Sequence, residues 1–289
     1  MQDLMSLASG LTMGPNGIWY ARHSSPIDYP AEANAFCFAI EDASFWYRHR
    51  NAVIVDVVRR FPPSGFIADV GAGNGFVSLG LQRSGFETLL IEPGETGIHN
   101  ARRRGLEPLV CATLQDAKFA PGSFPAAGLF DVLEHIGDDV GVLRLLHTLI
   151  APGGRLYLAV PTFQLLWSVD DASTGHHRRY TVGGLNERLR AAGFSPEFAT
   201  YFFWPLPLPI LLFRALPWKL GVQKTLDPDR LAAELRPPNR VAVCAVEAML
   251  GLERALISRG WRVPVGSSCL IVACRAPRKH GAEFLALMP

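Results

Sequence analysis

Short apolar runs alternate with stretches of helical spacing through the middle of this chain, and that alternation leaves few architectures open. GFIADV, ETLLIE, LEPLV, AAGLFDV and RLYLAV read as strands. Between them lie a helix from about Gly75, another near His99 to Arg104, and a third through VGVLRLLHTLI. Repeated passage from strand to helix to strand calls for a parallel sheet covered on both faces, a doubly wound α/β fold. Ahead of it, EDASFWYRHRNAVIVDVVRRF (41–61) has helical spacing and stops at Pro62 and Pro63. Behind it, TVGGLNERLRAAGF reads as a helix ending at Gly193, and SSCLIVACRA as a final strand. The expected divisions are an N-terminal lead-in and helical lid (1–62), a core (63–203), an insertion (204–265), and a final strand and tail (266–289).

Composition narrows the class of partner. With 289 residues, 49% of them hydrophobic and 19% charged, the chain can bury one substantial core. A net charge of +2 from scattered basic residues creates no field that calls for nucleic acid, and no basic stripe interleaved with aromatics appears. Cys37, Cys111, Cys244, Cys269 and Cys274 form no C-x-x-C pair, so they read as reduced thiols rather than zinc ligands. MQDLMSLASGLTMGPNG lacks the basic start and apolar block of a signal peptide, and the expected location is cytoplasmic. FATYFFWPLPLPILLF (198–213) carries no charge but is shorter than the roughly 20 apolar residues of a membrane span. Its three prolines also speak against a helix there. The expectation is a strand and then an extended segment packed on the core; the alternatives are a wall for a lipid-like or aromatic substrate, or a peripheral membrane contact.

DVGAGNGF (69–76) follows the first predicted strand of the core, where ligands of an open α/β sheet bind. Gly71, Gly73 and Gly75 allow a sharp turn and a close backbone approach. A dinucleotide fingerprint, G-x-G-x-x-G, would place glycine where Phe76 stands, which weakens a pyrophosphate reading. Glu92, at the end of the next strand, can accept both hydroxyl hydrogens of a ribose.

A ribose without a pyrophosphate points to S-adenosylmethionine. ADVGAGNGF, LLIEP, FAPGSFPAAGLFDVLEHIGDD, LIAPGGRLYLAVP and the closing AGF occur in the order seen in class I S-adenosylmethionine-dependent methyltransferases, which this chain resembles over about residues 65–195. SFWYRHRN, LWSVDDASTGHHRRYT and VGSSCLIVACRA extend the likeness toward a bacterial subgroup of methyltransferase type 11/12-like proteins with uncharacterised substrates. The resemblance implies a Rossmann-like doubly wound sheet of seven strands. It implies that Asp69, Gly71, Ala72, Gly73, Gly75, Glu92 and Pro93 bind the cofactor, together with Asp131 at the end of the fourth strand. Relatives often carry an Asp for the adenine amino group; the corresponding slot here holds Thr113 with Leu114 beside it, and Asp116 nearby. Trp46 and Arg50 share a helix face, where they either clamp the cofactor or pack on the sheet with the guanidinium solvated.

Methyl transfer from a sulfonium is an in-line displacement, so the protein has mainly to align the acceptor and exclude water. An alcohol acceptor also needs a base. In FDVLEHIGDD, Asp131, Glu134 and His135 stand at i, i+3 and i+4, and a helical turn would put all three on one side. His135, Glu134 and His176 are the expected catalytic residues. Similarity to ubiquinone O-methyltransferases and small-RNA 2′-O-methyltransferases offers a divalent-metal alternative on Asp131, Glu134 and His135, completed by His176 or by His177. In GHHRRYT, Arg178 and Arg179 either bind an anionic acceptor or pair with Asp170 and Asp171 as a self-satisfied lid. The expected activity is O-methylation of a small-molecule or glycan- or lipid-linked acceptor. The competing readings are an NAD-dependent oxidoreductase and a non-catalytic cofactor-binding scaffold.

Overall fold

The computed structural model describes residues 4–23, 25, 31–222 and 240–277. In chain order the larger elements are the hairpin strands β1 (Leu11–Met13) and β2 (Trp19–Ala21), then the helices α1 (Ala31–Ile40) and α2 (Phe45–Arg60). The alternating core follows: β3 (Ile67–Val70), α3 (Phe76–Arg83), β4 (Thr88–Ile91), α4 (Glu95–Arg103), β5 (Leu109–Cys111), β6 (Phe124–Phe130), α5 (Asp139–Leu149) and β7 (Ile150–Pro161). Next come α6 (Val182–Ala191) and β8 (Phe194–Phe202). Three abutting helical segments, Pro207–Ile210, the π-helical turn Leu211–Ala215 and Leu216–Lys219, form α7, and α8 (Arg240–Ser258) and β9 (Ser268–Arg275) close the fold.

One mixed sheet holds every labelled strand, in the order β1-β2-β5-β4-β3-β6-β7-β9-β8. Strands β5, β4, β3, β6 and β7 pair in parallel, while β9 runs antiparallel to both β7 and β8. The strand order reverses between β3 and β6, so the glycine turn after β3 opens at the switch point of the sheet. The α/β, Rossmann-like expectation holds, but the sheet has nine strands among the described residues rather than seven. The two additional strands are three-residue pieces of the Gly- and Pro-rich lead-in, too short to show any periodicity. They form because β5 offers a free edge to β2, while the Gly14 N–H bonds the Ile18 carbonyl at 2.8 Å to close the hairpin.

Alternation along β7 divides the core. Leu156, Leu158 and Val160 join Leu143, Leu146, Leu185 and Leu189 on the face covered by α5 and α6. Tyr157 and Ala159 face the other way, toward Val53, Ile54, Val57 and Leu81 of α2 and α3 and toward Leu250 and Ile257 of α8. The lead-in helix and the late helix thus close one core. Ion pairs Arg48–Glu247 at 3.1 Å and Arg254–Asp56 at 2.6 Å run along their outer side.

The segment after β8 corrects the expectation of an extended chain: it is helical. Pro207 occupies the first turn of α7, where an N–H would have no helical partner, so the residue expected to break a helix starts one. Among the described residues no helix is long and apolar enough to cross a membrane. All five cysteines are unpaired; Cys111 and Cys269 are buried and Cys244 is exposed.

Candidate active site

The turn between β3 and α3 separates glycines that serve the fold from one that serves the cavity. Gly71, Gly73 and Gly75 all have positive φ, at 70°, 52° and 74°. A Cβ on Gly71 would come within 2.7 Å of Val132 Cγ2, and one on Gly75 would run into Leu106 Cδ1. At Gly73 the nearest atom would be Asn34 Oδ1 at 3.6 Å, so the missing side chain leaves open space. That space belongs to a cavity of about 900 Å³ lined by Gly71, Ala72, Gly73, Glu92, Pro93 and Asp69 on this side. Gly75 lies outside its lining.

Two buried carboxyl groups flank the turn. Glu92 accepts the Gly73 N–H on one oxygen at 2.8 Å and the Gly94 N–H on the other at 2.7 Å. Burial outweighs those bonds and lifts its pKa to about 7. Each oxygen keeps a second lone pair for another donor. Asp69 accepts from Ser78 Oγ at 2.6 Å, and burial raises its pKa to about 6. Asp69 therefore ties the turn to α3 through a side chain.

Over the turn lies α1, a contact the sequence reading did not anticipate. Asn74 donates to the Asn34 carbonyl at 2.9 Å and to Glu41 at 3.1 Å, Asn100 donates to Asn74, and Arg104 pairs with Glu41 at 2.8 Å. The signal was present in GNG: a buried Asn between two glycines must find partners, and the chain that supplies them covers the cavity.

Thr113 and Leu114 do not line the cavity, contrary to the adenine-binding role expected for them. Thr113 Oγ1 accepts the Asp116 N–H at 3.1 Å and donates to the Asp116 carboxylate at 2.8 Å, capping the turn Leu114–Ala117. Leu114 is buried in the core, and Asp116 also accepts from Ser25.

Arg50 is buried rather than solvated. Its guanidinium pairs with Asp131 and sits 5.0 Å over the Trp46 ring and 5.3 Å over Tyr47, while Trp46 stacks on Phe203. The Arg50 Nε has no partner and is buried. Trp46, Arg50 and Asp131 all line the cavity.

The expected helical face of Asp131, Glu134 and His135 is not formed. Asp131 follows β6 with φ 56°, its N–H on the Ala159 carbonyl, and only Leu133–His135 makes a single 3₁₀ turn. That turn nevertheless brings Glu134 and His135 to His176: ligand-capable atoms of the three lie within 4.8 Å of one another. The His135 and His176 rings meet edge to face at 4.6 Å. Burial, and next the neighbouring His176, push His135 down to about 4, so it is neutral near pH 7. Burial, reinforced by Asp131, raises Glu134 well above the carboxylate range, and its Oε2 is buried without a partner.

Asp171, which the sequence reading placed only in the lid, holds His176. Its Oδ1 lies 2.8 Å from His176 Nδ1, and Arg179 grips the same carboxylate through Nε at 2.8 Å and Nη2 at 2.9 Å. Burial alone would raise the Asp171 pKa, but the bonds from His176 and Arg179 bring it to about 2. Arg178 pairs with Asp139 at 2.8 Å, and Asp170 with Arg214 at 2.8 Å. Both lid arginines are thus committed to internal carboxylates. The opposite wall is apolar, made by Phe45, Trp46, Leu206, Ile210, Phe213 and Val246 from α2, α7 and α8.

A family model described as a methyltransferase domain matches residues 46–197. The ubiquinone biosynthesis O-methyltransferase of Pseudomonas paraeruginosa (strain DSM 24068 / PA7) is 32% identical over 99 residues, which is 32% of this chain and 43% of that protein. The chain therefore matches less than half the length of that relative. Among solved structures, an S-adenosylmethionine-dependent methyltransferase of Thermotoga maritima aligns with TM-score 0.52 at 16% identity, over 84% of this chain and 95% of that one. Phosphoethanolamine N-methyltransferase 2 of Haemonchus contortus, in complex with S-adenosyl-L-methionine, aligns with TM-score 0.53 at 14% identity, over 86% of this chain and 58% of that one. At such identities the two structures speak for the fold alone. The family model covers more than half of the chain and includes the glycine turn, Glu92 and the Glu134–His135–His176 cluster: the protein belongs to the methyltransferase-domain family.

Proposed function

We propose that the protein is an S-adenosylmethionine-dependent methyltransferase acting on an oxygen of a small or lipid- or glycan-linked acceptor. The observation that carries the cofactor assignment is the pairing of Glu92, held by two backbone N–H groups with lone pairs to spare, with Gly73, whose absent side chain opens into the cavity. A nucleoside would fit there: Glu92 would accept ribose hydroxyls, Gly71 to Gly73 would lie against the ligand, and the unpartnered Arg50 Nε would offer a donor for its carboxylate. The bound sulfonium supplies an activated methyl group, so no covalent intermediate on the protein is needed. Family membership leaves the NAD-dependent oxidoreductase alternative without support.

The oxygen assignment rests on His176. Asp171 accepts the Nδ1–H, which fixes the tautomer and leaves Nε2 as the acceptor of an alcohol proton. His135, kept neutral beside it, and the buried Glu134 shape the same wall. The matched stretch of the Pseudomonas O-methyltransferase agrees with this reading. A second reading is favoured by the Glu134–His135–His176 cluster, in which the unpartnered Glu134 Oε2 suits a cation. A divalent metal on those three would supply Lewis-acid activation of the hydroxyl, and Asp131, bound to Arg50, would take no part.

Calorimetry with S-adenosylhomocysteine and NADH tests the cofactor: micromolar affinity for the first and none for the second is expected. Transfer of radiolabelled methyl to cell extracts, with and without a chelator, then tests catalysis and separates the metal reading from the metal-free one. His176→Ala should lower turnover by about 10²- to 10⁴-fold while leaving adenosylhomocysteine affinity unchanged. Equal loss of both would remove His176 from the chemistry.

A further inference from the structure

Leucines on α7 recur at every fourth position on its outer side. Leu208, Leu212, Leu216 and Leu220 are 62%, 46%, 38% and 75% exposed, forming one stripe along the helix. The stripe does not stand alone. Lys219 Nζ donates to the Leu165 carbonyl at 2.9 Å, which puts the exposed Leu165 beside it, and Trp204 is exposed at the entry to the helix. The helix itself carries only basic charges, Lys219 and Arg214, and Arg214 is paired with Asp170 at 2.8 Å. Ile210 of the same helix, and Leu206 just before it, wall the cavity, and Phe213 lies at the cavity's rim with 63% of its surface exposed.

We propose that the outer face of α7 docks on an anionic bilayer surface. A helix whose leucine stripe has no partner among the described residues, with a flanking tryptophan and only basic charges of its own, has the composition of one that lies in the interfacial plane. It is too short to span. Anionic headgroups answer Lys219, and the leucine stripe enters the acyl boundary. Docked this way, the cavity wall formed by the same helix stands at the lipid phase. This implies an amphiphilic acceptor delivered from the membrane, a consequence that rests on the methyltransferase reading.

Flotation of the full chain with vesicles of phosphatidylglycerol and phosphatidylcholine tests the proposal, with calorimetry against adenosylhomocysteine on the same samples. The expected result is co-flotation with the anionic vesicles, at least tenfold weaker on pure phosphatidylcholine. Leu208→Glu/Leu212→Glu should weaken it at least tenfold with adenosylhomocysteine affinity unchanged, and Leu220→Glu provides an independent variant at the helix end. Wild-type protein that stays in the aqueous layer overturns the proposal. So does a dimer that these variants return to monomer without any change in flotation, which would make the face an interface between copies. A protein that binds adenosylhomocysteine but no vesicles defeats the docking alone; one that floats but binds no nucleoside defeats the methyltransferase reading alone.

Discussion

At Glu92 the site stores unfavourable electrostatics for a ligand to relieve. A carboxyl with a pKa of about 7 is half ionised at neutral pH, whereas ribose hydroxyls donate best to the ionised form. Binding adenosylhomocysteine should therefore release roughly half a proton at pH 7, seen as a dependence of the calorimetric heat on buffer ionisation enthalpy. Affinity should strengthen between pH 6 and 8. Glu92→Gln should abolish the proton release and weaken binding by about 10- to 100-fold, the value of hydrogen bonds to a charged group. Unchanged proton release in Glu92→Gln would mean that another group carries it. Gly73 and Gly75 make a complementary pair. Gly73→Ala meets only the strain of positive φ, about 1 kcal/mol, yet fills the space against the ligand, so binding should fall while the melting temperature shifts little. Gly75→Ala collides with Leu106 as well and should cost stability first. The three glycines were legible in the sequence, but which of them faces the cavity was not, because that depends on Leu106 and Val132, residues 31 and 61 positions away.

Elements with a long period were legible, and elements held by a single distant partner were not. The alternation of β3 to β7 with its helices was readable because each run carries its own burial pattern. The β1–β2 hairpin and α7 were missed, since three-residue strands and a proline-rich start leave no such pattern. The 3₁₀ turn at Leu133–His135 was misread as a helical turn, because spacing alone does not reveal the positive φ of Asp131. Entry into α7 depends on Glu253 of α8, which is fully buried. Its carboxylate accepts the N–H groups of Phe203 and Trp204 at 2.9 and 2.7 Å and lies 2.6 Å from His49 Nε2, holding Phe203 at φ 61°. Glu253→Ala would leave buried N–H groups and His49 without their acceptor, at a cost of about 2–5 kcal/mol. Hydrogen exchange should show the loss concentrated in residues 203–219, with β3 and β4 protected as before. Uniform loss across the sheet would mean that Glu253 supports the global fold rather than the entry to α7.

Across the whole molecule, burial at the site sets a pH dependence opposite to that of a protein stabilised by surface carboxylates. Glu92 and Asp69 have pKa values raised to about 7 and about 6, and Glu41 and Glu134 are raised as well. A carboxyl whose folded pKa exceeds its unfolded value binds more protons when folded. Its contribution to stability is present in full below the unfolded value and is lost as pH rises through the folded one. For Glu92 and Asp69 that loss is on the order of 3 kcal/mol each between about pH 4 and 7.5. Asp171, lowered to about 2, and His135, lowered to about 4, work in the other direction: the stabilisation from Asp171 is lost as pH falls from about 4 toward 2, and the cost of keeping His135 neutral is relieved as pH rises from about 4 to 6.5. Above about pH 6.5 the His135 contribution is constant, and the denaturant midpoint of cofactor-free protein should fall as pH rises from 6.5 to 7.5. Saturating adenosylhomocysteine should flatten that slope, because a bound nucleoside favours ionised Glu92, and Glu92→Gln should flatten it without ligand. A midpoint that rises over this interval in free wild-type protein would show that Glu92 is solvated enough to ionise without penalty. The turn would then lack the desolvated carboxylate on which the nucleoside assignment depends.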